Sequence, residues 1–300
     1  MANYILISDI HGNIDALRAV LEDIENGPAF DEVVCLGDII GYCPAMNEVI
    51  DELRSLEGRY TIRYNTGSHD AAALGEFRFV DLENGDDQAA LSEAGLETEE
   101  QVVEQYFSKE NRRFVPVRAA ARDAITWTLD HMTAESVDFL RDRLVPRLEL
   151  EPHVISVHGS PRDPACEYVR DEKFAQRCFE SPEMNGVWLC LVGHTHVGAI
   201  WEMPAKHIVQ VATRRMALAP PVRCLDARAA LKRAGHTYII NVGAVGQPRD
   251  RDPRACYGRL STDERTFEHV RVEYDIDAAV ARIRAVGLND RLAERLYLGE

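Results

Sequence analysis

Tyr4-Ile5-Leu6-Ile7-Ser8-Asp9-Ile10-His11-Gly12-Asn13 is an apolar run that stops at a cluster of ligand-type side chains, and Ile14, Leu17, Val20, Leu21 and Ile24 follow at helical spacing. The pattern reads strand, loop, helix, with Gly12 and Asn13 shaping and capping the helix start. It then recurs. Val33–Leu36 ends in Gly37-Asp38 ahead of a second helix over Met46–Leu56, and Tyr60–Tyr64 ends in Thr66-Gly67-Ser68-His69-Asp70. Three successive strands stopping at Gly, Asp and His place a site outside the carboxyl ends of an open α/β sheet.

Downstream, the spacing predicts helices over Ala119–His131, Ala134–Leu144, Ile276–Val286 and Asp290–Leu296. Strands are expected at Val154–Val157, Trp188–Val192, Ala199–Glu202, Ile208–Val211, Tyr238–Val242, Cys256–Leu260 and His269–Tyr274. An alternating half is followed by a strand-rich half without a dividing linker, so a single domain over 1–300 is expected. Residues 81–110 carry ten acids against one base. This acidic insertion, around 81–118, reads as solvated helix with a weakly amphipathic tail (Val102, Val103, Tyr106, Phe107); a lid or an oligomer contact is the other reading. A second variable stretch spans about 203–236.

Charge and composition narrow the function classes. Fifty acidic against thirty-four basic side chains in 300 residues leave a net charge of −16, which repels polyanions and argues against nucleic-acid binding. No apolar run approaches the roughly eighteen residues of a membrane span, and a strand at Tyr4 leaves no room for a signal sequence, so a cytoplasmic address is expected. The seven cysteines are odd in number, scattered and never spaced Cys-x-x-Cys; they read as reduced thiols.

Five clusters hold nearly every ligand candidate: Asp9-Ile10-His11, Gly37-Asp38, Gly67-Ser68-His69-Asp70, His158-Gly159 and Gly193-His194-Thr195-His196. Residues i and i+2 of an extended segment point the same way, so Asp9 can converge with His11 and His194 with His196. Imidazole and carboxylate without thiolate suit manganese, iron, zinc or nickel. Two carboxylates and four histidines exceed one tetrahedral site; two divalent ions sharing a carboxylate, roughly 3.5–4 Å apart, are the economical reading. His131, His153, His207, His236 and His269 lie outside the clusters and read as surface or core groups.

These motifs, in this order, resemble the calcineurin-like metallophosphoesterase superfamily, and the small bacterial phosphodiesterase branch in particular, through Gly37-Asp38-Ile39-Ile40-Gly41-Tyr42, His158-Gly159-Ser160-Pro161, Gly193-His194-Thr195-His196 and 241–250. The resemblance implies an α/β sandwich of two mixed β-sheets flanked by helices. It puts Asp9, His11, Asp38 and His196 on a first metal and Asp38, His158 and His194 on a second, with Asp38 bridging. The family's asparagine ligand to the second metal falls on Ser68, a shorter and poorer donor; Asn65 is out of register to replace it. A hydroxide bridging the ions is the implied nucleophile, His69 faces the leaving group, and Asp70 is a candidate to orient His69. Tyr42 and Cys43 are candidates to line the pocket, and Arg249 either neutralises phosphate or pairs within an arginine-rich turn. Ile39-Ile40-Gly41-Tyr42 lacks the Asp-Arg pair of the protein serine/threonine phosphatases. The expected activity is hydrolysis of phosphodiesters of small or nucleotide substrates, with manganese the favoured ion; a phosphomonoesterase or nucleotide pyrophosphohydrolase is the nearest alternative. A metal-poor binding scaffold, suggested by Ser68 alone, is the alternative of another class, and a homo-oligomer is compatible with the sequence.

Overall fold

The computed structural model describes residues 2–96, 98–108, 112–204, 207–211, 214–218, 223–225, 228–231 and 235–300. The elements run β1 (Asn3–Ile7), α1 (Ile14–Glu25), β2 (Glu32–Cys35), α2 (Met46–Glu57), β3 (Thr61–Asn65), α3 (Ser68–Ala73), β4 (Arg78–Val80), α4 (Gly85–Glu93), α5 (Glu99–Phe107), β5 (Phe114–Pro116), α6 (Ala119–His131) and α7 (Ala134–Arg143). They continue as β6 (Leu144–Val145), β7 (Arg147–Glu151), β8 (Val154–Val157), α8 (Glu172–Phe179), β9 (Leu189–Val192), β10 (Ala199–Met203), β11 (His207–Val211), β12 (Arg214–Leu218), β13 (Arg223–Leu225), β14 (Arg228–Ala230), β15 (Thr237–Asn241), β16 (Ala255–Ser261), β17 (Thr266–Val272), α9 (Ile276–Ala285) and α10 (Asp290–Leu298).

Two mixed sheets form, in the orders β14-β17-β16-β1-β2-β3-β6 and β13-β10-β15-β9-β8-β7. Alternation along β1 explains their stacking. Tyr4 and Leu6, with Val34 and Leu36, meet Val154, Leu189, Leu191 and Ile240 of the second sheet. Ile5 and Ile7 face the opposite way, onto Leu17, Val20 and Leu21 of α1 and Val49, Ile50 and Leu53 of α2. Ile155, Cys190 and Ile239 likewise turn away from the first sheet onto Ala175 and Cys178 of α8. Side chains buried on both faces of each strand give the continuous apolar runs seen in the sequence.

β1, β2 and β3 are parallel, as are β8, β9 and β15, so each trio delivers its loops to one end. All ten strands expected from the sequence are present. Those not expected are short or lie at edges: β6 has two residues, and β7 is half-buried, with Leu148 and Leu150 packed inward between charged neighbours. Six-residue α3 was read as loop because its sequence is dominated by the third ligand cluster. In the acidic insertion, α4 and α5 confirm the helical reading, but β4 and β5 pair in parallel beneath them, and Val80, Leu91, Val102 and Phe114 form a small core of their own. The 203–236 stretch falls partly outside the described residues, as do the side chains of His207 and Cys224.

Candidate metal centre

Asp9 and His11 follow β1, Asp38 follows β2, Ser68 and His69 follow β3, His158 follows β8, and His194 and His196 follow β9. Backbone hydrogen bonds lock the first two loops together: Asp9 N donates to Gly37 O, His11 N to Asp38 O and Gly12 N to Ile39 O, at 2.9–3.0 Å. Asp9, His11, Asp38, His194 and His196 all adopt positive φ, between 50° and 65°. Left-handed backbone at residues other than glycine stores about 1–3 kcal/mol each and persists only where the surroundings enforce it.

The structure gathers Asp9, His11, Asp38 and His196 into one buried cluster and Asp38, His158 and His194 into another, sharing Asp38. The six residues are the ones singled out from the sequence, in the same partition. Each imidazole has one nitrogen committed to a main-chain carbonyl. His11 Nδ1 donates to Ile40 O (2.9 Å), His196 Nδ1 to Gln247 O (2.6 Å), His158 Nδ1 to Leu36 O (2.8 Å) and His194 Nε2 to Cys166 O (3.1 Å). These acceptors set the tautomers, so the opposite nitrogens carry lone pairs in the neutral rings.

Those lone pairs face one another. His11 Nε2 lies 3.1 Å from His196 Nε2, and His158 Nε2 lies 3.0 Å from His194 Nδ1. Burial holds His11 and His196 well below the usual histidine range. Asp9 Oδ1 points at the same spot, 3.2 Å from His196 Nε2, and has no hydrogen-bond partner, while Asp9 Oδ2 accepts from His194 N. Three buried electron-pair donors converging on one point are a fit for a cation.

At the second cluster the charge balance differs. Burial alone would lower the pKa of His158, but Asp38, whose Oδ2 lies 3.2 Å from Nε2, together with Asp9 and Asp70, raises it to about 9. His194 is lowered to about 3 by burial and by His158. A metal ion requires neutral His158, so binding at this cluster should release about one proton at pH 7, and apparent affinity should climb with pH until about 9. Indicator titration in weak buffer checks this; uptake of metal without acidification would contradict it.

Ser68 and His69 sit beside the shared carboxylate. Ser68 Oγ donates toward Asp38 Oδ2 at 3.3 Å, and His69 N donates to Asp38 Oδ1 at 2.8 Å. The His69 ring is 3 % exposed and contacts the rings of Tyr42, His11 and Phe79; its Nδ1 has no partner. Burial, with Arg249 and His158, lowers its pKa to about 4. Gly41, at φ +91°, makes room for this ring, since a Cβ there would lie 2.2 Å from His69 Nδ1.

Two sequence expectations change, and for Arg249 one of its two readings falls. Asp70 does not orient His69: Oδ1 accepts from Ile39 N and Ile40 N, and Oδ2 from Gly67 N, so it ties the second ligand loop to the third. A neighbour on the same short helix diverges from His69, and the backbone amides are closer. Cys43 packs in the core against Ala279 and Ile283 instead of lining the site. Arg249 has no place in an ion-paired turn; Arg254 pairs with Asp252 and Arg271 with Asp250, while Arg249 lies over the Tyr42 ring at 5.5 Å. Asn65 is committed to β8, accepting from Ser156 Oγ and donating to Ser156 O.

The site also contains groups the sequence did not reveal. A recess of about 80 Å³ is lined by Asp38, Ser68, His69, His194 and His196, by Phe79 of β4, and by Tyr106, Val115, Pro116 and Val117 from the insertion. Tyr168 stacks on His194 at 3.9 Å. Tyr106 Oη donates to Cys166 O, the carbonyl that also fixes His194, and Arg112 pairs with Asp163 at 2.5 Å. The insertion is thus anchored to the loop that follows His158.

Calcineurin-like phosphoesterase sequences match residues 2–198, the span that carries all of these ligands. The chain belongs to the calcineurin-like phosphoesterase family. It is 30 % identical over 298 residues to the uncharacterized protein MJ0912 of Methanocaldococcus jannaschii, covering 98 % of this chain and 97 % of the other. It is also similar to the crystal structure of a metallophosphoesterase from Sphaerobacter thermophilus, with 30 % identity, a TM-score of 0.67 and all of both chains covered. The hypothetical protein PH1004 of Pyrococcus horikoshii OT3 shares the fold at 18 % identity and a TM-score of 0.68, over 100 % of this chain and 99 % of that one. The family and the two Asp/His clusters together point to a dinuclear metal site in a phosphoester hydrolase. Among the described residues no helix is long and apolar enough to cross a membrane.

Proposed function

We propose that this calcineurin-like phosphoesterase hydrolyses phosphodiester bonds, and phosphomonoesters less readily, with two divalent ions, manganese foremost, in the cytoplasm. The observation that carries the reading is the convergence of lone pairs from His11, His196 and Asp9 beside a second cluster that shares Asp38. Asp9, His11, Asp38 and His196 would hold one ion, and Asp38, His158, His194 and Ser68 the other. When bound, the ions supply the positive charge that attracts a phosphate and brings the pKa of adjacent water toward about 7.

The protein's own groups do the rest. Asp38 balances charge on both sides at once. His69, neutral and walled by aromatic rings, presents an imidazole N–H to the leaving oxygen, where it stabilises developing charge. Arg249 offers a guanidinium to a phosphate oxygen from the recess wall. Phe79, Val115, Pro116 and Val117 exclude water on the insertion side. The buried single thiols of Cys35, Cys43, Cys166, Cys178, Cys190 and Cys256 support a reducing compartment.

Metal analysis after manganese loading, paired with turnover of bis(p-nitrophenyl) phosphate and p-nitrophenyl phosphate under manganese, iron, zinc and nickel, tests the proposal. Two ions per chain with faster diester turnover is expected. No bound ion and no turnover under any metal would refute it.

Ser68→Asn should restore an amide ligand. We expect half-maximal activity at about a tenth of the manganese concentration that wild type needs, since improved coordination raises occupancy. Coincident rate-versus-metal curves would place Ser68 outside the coordination shell.

A further inference from the structure

The recess of about 80 Å³ at the clusters adjoins a second cavity of about 710 Å³, and the two share Tyr42, Pro116, Val117, Tyr168 and Arg249. The first is small. A phosphoryl group beside Asp38 has the second next to it, and that cavity's volume is in the usual range for small-molecule sites, about 300–1,000 Å³.

The charge of the larger cavity runs against that of the protein. Its ionisable lining is Arg118, Arg249, Arg291 and Arg295 against Glu294 and Glu300, in a chain of net charge −16. Elsewhere buried or half-buried arginines have carboxylate partners, as Arg112 has Asp163, Arg122 has Asp87 and Arg271 has Asp250. Here only Arg295 has one close by. Among the described residues the Arg118 and Arg291 side chains meet no carboxylate. Arg295 donates Nε–H to a main-chain oxygen of Glu300 at 2.7 Å, and the Glu300 carboxylate lies near enough to act on it. Arg249 donates to Gln247 Oε1 at 3.0 Å and keeps a buried Nε–H without a partner. Burial and the nearby guanidiniums of Arg249 and Arg118 lower the pKa of Arg295, outweighing the opposing influence of Tyr42 and Glu300. The wall also includes Ala119 and Ala120, the first residues of α6, whose N-cap Arg118 makes no side-chain cap, so the positive end of that helix adds to the field.

We propose that this arginine-lined cavity is a second anion subsite, and that preferred substrates carry at least one further phosphate, joined by ester or anhydride bonds to the phosphoryl group bound beside Asp38. The inference rests on the phosphoesterase reading and names its substrate class. Hydrolysis itself is unchanged: water oxygen bonds to the phosphorus beside Asp38, the bond from that phosphorus to the bridging oxygen breaks, and the bridging oxygen leaves with a proton. The second phosphate is held by Arg118, Arg291 and Arg295, with Arg249 between the two positions. Tyr168, 40 % exposed, offers a ring face at the junction.

The test compares kcat/KM on diadenosine tetraphosphate and ATP with kcat/KM on bis(p-nitrophenyl) phosphate and p-nitrophenyl phosphate, in manganese-loaded wild type, Arg118→Gln, Arg291→Gln, and Arg118→Gln combined with Arg295→Gln. The ratio of polyphosphate to aryl-ester efficiency should fall about 10- to 100-fold in the double variant and less in the singles, which alter exposed side chains. Inorganic tripolyphosphate should inhibit wild type competitively and weaken by the same factor. A ratio unchanged in every variant overturns the subsite, as does a uniform loss on all four substrates. A metal-loaded wild type that hydrolyses none of them overturns the phosphoesterase reading instead. Calorimetric binding of tripolyphosphate then decides the subsite alone: weaker binding in the double variant supports it, and equal binding refutes it.

Discussion

Asp38→Ala is expected to abolish hydrolysis and to leave fewer than two ions per chain. One carboxylate stands between the two clusters, with Oδ2 3.2 Å from His158 Nε2 and 3.6 Å from His11 Nε2. Removing it leaves two like charges without a shared counter-charge, in a site where Asp38 is 1 % exposed and water cannot easily replace it. The same substitution removes the acceptor for His69 N and Ser68 Oγ, so the third ligand loop loses its anchor as well. Metal content and turnover measured on the same preparation decide the matter. Wild-type rates with two ions bound would mean that the two clusters are not one dinuclear centre.

The second large effect is expected at His69. His69→Ala should retain both ions and lose about 10²–10³ in turnover, the usual range for a positioned hydrogen-bond donor to developing charge. Neither oxygen of Asp38 depends on the imidazole, since it is the His69 backbone N–H that meets Oδ1. With its pKa lowered to about 4, the ring stays neutral from pH 5 upward, so its contribution should not titrate out between pH 5 and 8. The loss should shrink for substrates with good leaving groups, because an activated aryl oxide needs little help. A plot of the loss against leaving-group pKa gives the answer; a flat line would remove His69 from the leaving-group side.

Much of this centre was legible in the chain because strand and loop announce themselves through side chains. Val33–Leu36 and Val154–Val157 are apolar on both faces, so they read as buried strands, and the ligands follow them directly in sequence. Positive φ at Asp9, His11, Asp38, His194 and His196 was not legible, because it is imposed by contacts between loops from different strands.

The sequence by itself determined the alternation of strands and helices, the five ligand clusters and the imidazole–carboxylate chemistry they share. Tertiary structure alone decided which lone pair each histidine presents, because the choice is made by the carbonyls of Leu36, Ile40, Cys166 and Gln247. Every residue carries a carbonyl, so no pattern of side chains marks the four that matter. It also decided that Asp70 serves the backbone of Ile39, Ile40 and Gly67, that the acidic insertion forms a wall of the site, and that Arg118, Arg249, Arg291 and Arg295 meet in one cavity. These arginines, up to 177 positions apart in the chain, meet only when the fold brings the start of α6 and the face of α10 to one cavity.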